Sequence, residues 1–299
     1  MTFPTRHLPD GTAISAFGLG CSSFWAKPAF AKEQAVALVR RAYELGINHF
    51  DTGPSYAAGE AERRLGTSIR GLDRRGLVLS SKAGTYTDAT GVQFRSFDPA
   101  TMRTHLQASL ERLGLAQIDI LYLHGPSTEA LSPAVIGCLE DLKSRGLIRY
   151  SGVNSFDPRV LERVVALPID VVMPQFSIFD VSCLRQILAL KAVGKTVISG
   201  TALGQGIFNF RTLIPTNRKS LWYLLRAIKN DPLFPLTRLR AKRRVAECGN
   251  AMPDAAMRFL LQMPAITSAV FGTTSMAHLE QNAAAAKRVA EAIASDTAR

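Results

Sequence analysis

The sequence predicts an α/β protein, a closed (β/α)8 barrel of the TIM type preceded by an N-terminal β-hairpin. Three observations carry that expectation. Eight short apolar runs across the 299 residues each lead into a stretch of helical periodicity, the order expected of repeated βα units. The runs are continuously apolar rather than alternating, as strands covered on both faces must be. The first strand-to-helix turn, Gly18-Leu19-Gly20-Cys21-Ser22-Ser23, lacks the ending of a G-x-G-x-x-G loop, which argues against an open doubly wound dinucleotide sheet.

Residues 1–15 place Pro9-Asp10-Gly11-Thr12 between β-prone pieces and read as the hairpin. Residues 16–20 form the first strand, and 32–45 a helix with periodicity through Ala35, Val36, Leu38, Val39, Ala42 and Tyr43 and Gly46 after its end. Strand 47–51 leads to helix 60–69. Strand 77–82 leads, after a long Gly- and Thr-rich loop, to helix 99–113, and strand 118–124 to helix 132–144. Strand 148–154 precedes helix 158–166, strand 171–175 precedes helix 183–193, and strand 196–201 precedes a basic segment with further helix. Strand 268–272 feeds a helix from 276 to about 293. All of 1–299 is expected to be a single domain.

With 47% hydrophobic and 20% charged residues the chain suits a globular protein with a sizeable core. Cys21, Cys138, Cys183 and Cys248 are far apart and form no C-x-x-C pair. That spacing argues against a disulfide framework or zinc knuckle and fits a reducing cytoplasm, with no metal site expected. No basic start is followed by an apolar leader, and no run approaches the ~20 apolar residues of a membrane span. The net charge of +12 is unevenly spread: ten Lys and Arg lie between Arg211 and Arg244, against the single acid Asp231. This segment reads as a solvated helical face, as a contact for an anionic substrate or cofactor phosphate, or as a nucleic-acid or membrane patch. No nucleic-acid motif accompanies it, so nucleic acid is not an expected partner.

The chemistry sits at strand ends. Asp51, Lys82 and His124 finish the second, third and fourth strands, and Tyr56 follows in the second loop. A lone carboxylate at the exit of a buried strand is costly unless a cation meets it, so Asp51 is expected to pair with Lys82. Alone, that pair also reads as a structural tie between strands, a reading that recedes once Tyr56 and His124 join it. An ammonium beside Tyr56 would lower its phenol pKa from about 10 and make it a usable proton donor. His124 would hydrogen-bond the same carbonyl oxygen. No side chain here supplies hydride, so a nicotinamide must. His7, His49 and His105 read as surface or structural histidines, and Glu60 as a helix-start residue. Trp25 and Phe24 suit pocket lining or packing equally, and Trp222 and Tyr223 suit helix packing.

Gly18-Leu19-Gly20, HFDTGPSYAAGEAERRLG from His49, SSKAG around Lys82 and DILYLHGP around His124 together resemble the aldo-keto reductases. So do GVNSF from Gly152, PQFS around Gln175, ALGQG from Ala202 and VFGTTSMAHLEQN from Val270. The resemblance spans nearly the whole chain. It implies carbonyl–alcohol interconversion on a small molecule with NADPH, NADH being possible. It also implies that Asn154, Ser155 and Gln175 hold the nicotinamide carboxamide, and that Thr201, Leu203, Gln205 and Gly206 close over the pyrophosphate. Thr273, His278, Gln281 and Asn282 would hold the adenosine phosphate and adenine. Gly20, Cys21, Ser22, Asp51 and Gly272 complete the expected cofactor set. Gly200 departs from the family, which often has an aromatic there against the nicotinamide. Gly272 and His278 stand where many members carry a cation for the 2′-phosphate. Arg211 or Arg218 is expected to supply that cation, Arg218 first. A Schiff-base aldolase using Lys82 and a non-catalytic dinucleotide sensor are the rival expectations.

Overall fold

Strands that are apolar on both faces need side chains on one side and helices on the other, and the chain meets that need by closing into a barrel. The computed structural model describes residues 2–88, 90–203 and 252–297, together with Leu221 and Leu225. β1 (Thr5–His7) and β2 (Ala13–Ser15) form the expected antiparallel hairpin, Thr5 opposite Ser15. The barrel strands are β3 (Phe17–Gly20), β4 (His49–Asp51), β5 (Val78–Ala83), β8 (Ile118–His124), β9 (Ile148–Asn154), β10 (Val171–Met173), β11 (Thr196–Ser199) and β12 (Ser268–Phe271). They pair in parallel around a closed ring in which β12 meets β3.

Outside it lie α1 (Lys32–Glu44), α2 (Glu60–Ile69), α3 (Pro99–Leu113), α4 (Pro133–Ser144), α5 (Pro158–Val164), α6 (Leu184–Ala192), α7 (Met252–Leu261) and α8 (Met276–Thr297). Local chemistry sets their starts. Asp98, Ser132 and Asp157 accept backbone N–H bonds from Thr101, Val135 and Arg159, and each is followed by a proline in the first turn.

Two apolar layers result. Leu38, Leu65, Leu110, Leu139, Val160 and Ile187 pack the helices on the barrel. Val78, Ile120, Tyr122, Val171, Ile198 and Val270 fill its interior, where Leu8 and Ile14 of the hairpin join them. The hairpin thereby seals the N-terminal end and leaves the C-terminal mouth for chemistry.

Several expectations needed correction. The loop between β5 and α3 is not irregular: β6 (Thr85–Thr87) and β7 (Gln93–Arg95) pair across it as a hairpin. Gln175 lies beyond β10 and joins Gly200 through an isolated bridge. Trp25 is buried in the core, while Phe24 packs partly buried near Phe30. Gln205, Gly206, Arg211, Arg218, Trp222, Tyr223, Cys248 and the cationic side chains of 211–244 lie outside the described residues. Among the described residues no helix is long and apolar enough to cross a membrane.

Candidate active site

β4, β5 and β8 are neighbours in the ring, so the polar residues near their C-terminal ends meet. Lys82 Nζ lies 2.6 Å from Asp51 Oδ2 and donates to Thr52 O at 2.7 Å, while Ser80 Oγ donates to Asp51 Oδ1 at 2.7 Å. The two charged side chains are only 2% and 8% exposed, so each relies on these partners to offset lost hydration. Burial pulls the Lys82 pKa down. Asp51 and Tyr56, through charge and hydrogen bonding, together outweigh burial and hold it above its ordinary value.

The loop after β4 is fastened at its start. Thr52 N–H donates to Ser80 O at 2.9 Å, and Thr52 Oγ1 to Cys21 O at 3.1 Å. Tyr56 N–H then returns to Gly53 O at 3.2 Å. A Cβ on Gly53 would stand 3.2 Å from the Tyr56 ring and 3.4 Å from the Lys82 stem, so the bare glycine lets ring and stem pack together. Ala57, Ala58 and Gly59 follow at φ +51°, +52° and +83°, a left-handed run costly for alanine that swings the chain into α2.

Lys82 Nζ sits 5.1 Å from the Tyr56 ring centroid, and the His124 ring meets Tyr56 edge-on, centroids 5.9 Å apart at 70°. Burial first, then Lys82 and Arg95, push the His124 pKa down to about 3. The imidazole is therefore neutral near pH 7. Its Nδ1 is buried with no hydrogen-bond partner among the described residues. His49 lies behind Asp51 as a structural histidine: Nδ1 is 3.0 Å from Ser268 Oγ, and burial pushes its pKa down to about 4. His105 stacks on Tyr86, His7 is exposed, and Glu60 opens α2 beside Arg64 at 3.1 Å.

Among the described residues, those expected to hold a dinucleotide lie at or after the C-terminal ends of β3, β4, β9, β10, β11 and β12. Cys21 N–H donates to Asp51 O at 2.7 Å, lacing β3 to β4, with Gly20 and half-buried Ser22 alongside. Asn154 donates from Nδ2 to Met173 O at 3.0 Å, and Ser155 Oγ accepts from Asp157 N at 3.2 Å. Gln175 Nε2 donates to Asp180 Oδ2 at 2.9 Å, a partner that the sequence reading missed. Among the described residues Asn154 retains its oxygen and one N–H, and Gln175 its oxygen, which fits an amide ligand. Thr201 adopts φ +62°, and Leu203 packs half-buried on the core. Gly272 is exposed; Thr273 Oγ1 accepts from Ser275 N at 3.1 Å, and Ser275 Oγ accepts from His278 N at 3.3 Å at the start of α8. His278 and Gln281 are exposed and Asn282 is buried. Phe156, not expected to take part, is 48% exposed, and its Cε1 lies 3.6 Å from where Gly200 would carry a Cβ.

The sequence profile of the Aldo/keto reductase family matches residues 16–294. The chain is 30% identical over 285 residues to the uncharacterized oxidoreductase YqkF of Bacillus subtilis, covering 93% of this chain and 90% of that one. It is also 30% identical over 290 residues to L-galactose dehydrogenase of Arabidopsis thaliana, covering 92% and 85%. The holo structure of aldo-keto reductase AKR11C1 from Bacillus halodurans superposes with a TM-score of 0.76 over 95% of this chain and 90% of that one; at 22% identity this shows the shared fold.

Proposed function

The chain belongs to the aldo/keto reductase family, and from that premise we propose which of its side chains carry out the reaction. The protein is an NAD(P)H-dependent oxidoreductase that interconverts a carbonyl and an alcohol on a small molecule. The nicotinamide supplies the hydride, which no side chain here can. In the reducing direction Tyr56 gives its phenolic proton to the carbonyl oxygen as the carbon is reduced. Lys82, held protonated by Asp51, stabilises the negative charge left on Tyr56. Neutral His124 hydrogen-bonds the substrate oxygen and orients it toward Tyr56. Asn154, Ser155 and Gln175 orient the carboxamide with their spare donor and acceptor atoms. Thr201, Leu203 and the start of α8, where Thr273 and His278 lie, take the phosphates.

The observation that carries this reading is the convergence of Lys82 and His124 on one phenol ring, at 5.1 Å and 5.9 Å. Tyr56→Phe tests it. Turnover is expected to fall by ~10²–10⁴-fold, the range for losing a general acid, while the affinity for NADPH by fluorescence titration stays close to that of the unaltered enzyme. Turnover within threefold of the parent removes the assignment.

A Schiff-base mechanism is disfavoured because its lysine must be available unprotonated, whereas Lys82 is gripped by Asp51 and Thr52 and its pKa is raised. A pure sensor has no need of a buried proton-donor network. A single domain over residues 1–299 is supported by the ring of strands drawing on residues 17–271. A cytoplasmic location is supported by the unbridged, buried Cys21, Cys138 and Cys183.

A further inference from the structure

The hairpin beside the mouth carries a cation whose donors the reaction does not use. Buried Tyr86 of β6 stacks on His105 of α3, ring centroids 3.8 Å apart at 15°, and Phe94 of β7 meets the same imidazole at 5.9 Å. Gln93 Nε2 donates to Ser55 O at 3.2 Å, one residue before Tyr56, and Thr85 Oγ1 donates to His124 O at 3.3 Å. The hairpin is thus stitched to both segments that carry the reacting groups. At its stitched end Arg95, opposite Thr85 in the register, donates from Nη1 to Gly125 O at 3.3 Å.

Arg95 is exposed, and a guanidinium has five donors in a planar fork. Among the described residues no carboxylate comes within 4.0 Å of it. Arg64, Arg74 and Arg112 each meet one, at 3.1, 2.8 and 2.7 Å. Asp88, the acid of the same hairpin, is occupied by Thr90 and Val92 within its own turn. The charge of Arg95 reaches the imidazole, where it adds to burial and Lys82 in keeping His124 neutral. What remains is an anchored fork with spare donors, one residue along from His124, at the open rim of the site. Planar oxyanions are the ligands such a fork engages bidentately.

We propose that Arg95 is a specificity-determining residue that engages a carboxylate or phosphate carried by the substrate away from its carbonyl, so that the enzyme prefers anionic carbonyl compounds to neutral ones of the same length. This rests on the carbonyl-reducing reading given above. The hairpin supplies the distance: its anchors fix Arg95 relative to Tyr56 and His124, so a bound oxyanion places the carbonyl end toward them. Because Arg95 is exposed, the preference falls as salt rises.

Two matched substrate pairs separate the sources of the oxyanion: 4-oxobutanoate against its methyl ester, and glyceraldehyde 3-phosphate against glyceraldehyde. At low ionic strength the parent enzyme is expected to favour the anionic member of at least one pair in kcat/KM by about tenfold to hundredfold, the range of one charge-assisted contact. Arg95→Gln brings that ratio to within about threefold of unity, and Arg95→Lys, which keeps charge but not the fork, retains part of it. Taking a ratio within each variant cancels any general loss of activity. A parent ratio near one in both pairs, or a preference that Arg95→Gln leaves intact, overturns the proposal. Turnover of the neutral members leaves the carbonyl-reducing reading standing in that event. Turnover of no member of either pair removes both.

Discussion

Lys82→Met replaces the buried ammonium by a thioether of similar reach and leaves Asp51 in place. In the parent, Asp51 Oδ2 receives Lys82 Nζ at 2.6 Å, Oδ1 receives Ser80 Oγ at 2.7 Å, and Thr52 O receives the same ammonium at 2.7 Å. Among the described residues the substitution removes the one cation that meets a carboxylate only 8% exposed, and removing one member of a buried pair costs about 3–5 kcal/mol. Ser80 still donates, which favours the lower end; Thr52 O loses its side-chain donor, which adds about 1 kcal/mol. A loss of about 4 kcal/mol is therefore expected, a large share of the 5–15 kcal/mol typical of a whole domain. Urea unfolding at pH 7 measures it through the midpoint at constant slope. Asp51→Asn combined with Lys82→Met leaves no bare carboxylate and should recover about 1–2 kcal/mol of the loss. The pH dependence has a definite sign: Lys82 holds its proton more tightly folded than unfolded. Its stabilisation is complete below the unfolded value of about 10.4 and is lost as pH rises through the higher folded value. Lys82→Met should flatten that alkaline loss. A cost below about 1 kcal/mol, or a double variant no more stable than the single one, would refute the pairing as the source of local stability.

His49 resists protonation down to about pH 4 through burial, with Asp51 raising and Lys82 lowering its pKa by smaller amounts. The unfolded chain takes up that proton near pH 6.5, so stability falls between these values by about 3 kcal/mol. His49→Gln should reduce the acid loss between pH 7 and pH 4 by about that amount in paired denaturation curves; equal losses would contradict it. Phe156→Ala removes a ring that stands half-exposed beside Gly200. NADPH and NADH should then bind about two- to tenfold more weakly, the scale of one ring contact; unchanged titrations would exclude Phe156 from the cofactor face.

The barrel and its central groups were legible because each left a local anomaly. Asp51, Lys82 and His124 are polar residues at the ends of runs such as Ile118–His124 that are otherwise buried throughout, and a core has no use for them. The proline and cap residues that open α3, α4 and α5 are a further local signal, one that the periodicity of those stretches did not need. The β6–β7 hairpin left no such mark. Its strands are three residues each, too short for a period-2 signal, and their pairing depends on Tyr86 stacking against His105, a partner contributed by a later helix. Gln175 and Asp180, and Gly200 and Phe156, are likewise brought together by the fold alone.

Arg95 shows why the two classes of residue differ. A charged side chain in a buried strand must be explained, because desolvation penalises it unless a partner is found. An arginine in a polar loop raises no such question, since water satisfies it in any conformation. Its meaning arises only when the loop is pinned, by Gln93 to Ser55 and by Thr85 to His124 O, so that the same guanidinium is held at the rim of a reaction site. Groups that perform chemistry inside a barrel are thus exposed to sequence reasoning by the cost of burying them. Groups that select among substrates at its rim incur no such cost, and their role emerges from which neighbours the folded chain gives them and which it withholds.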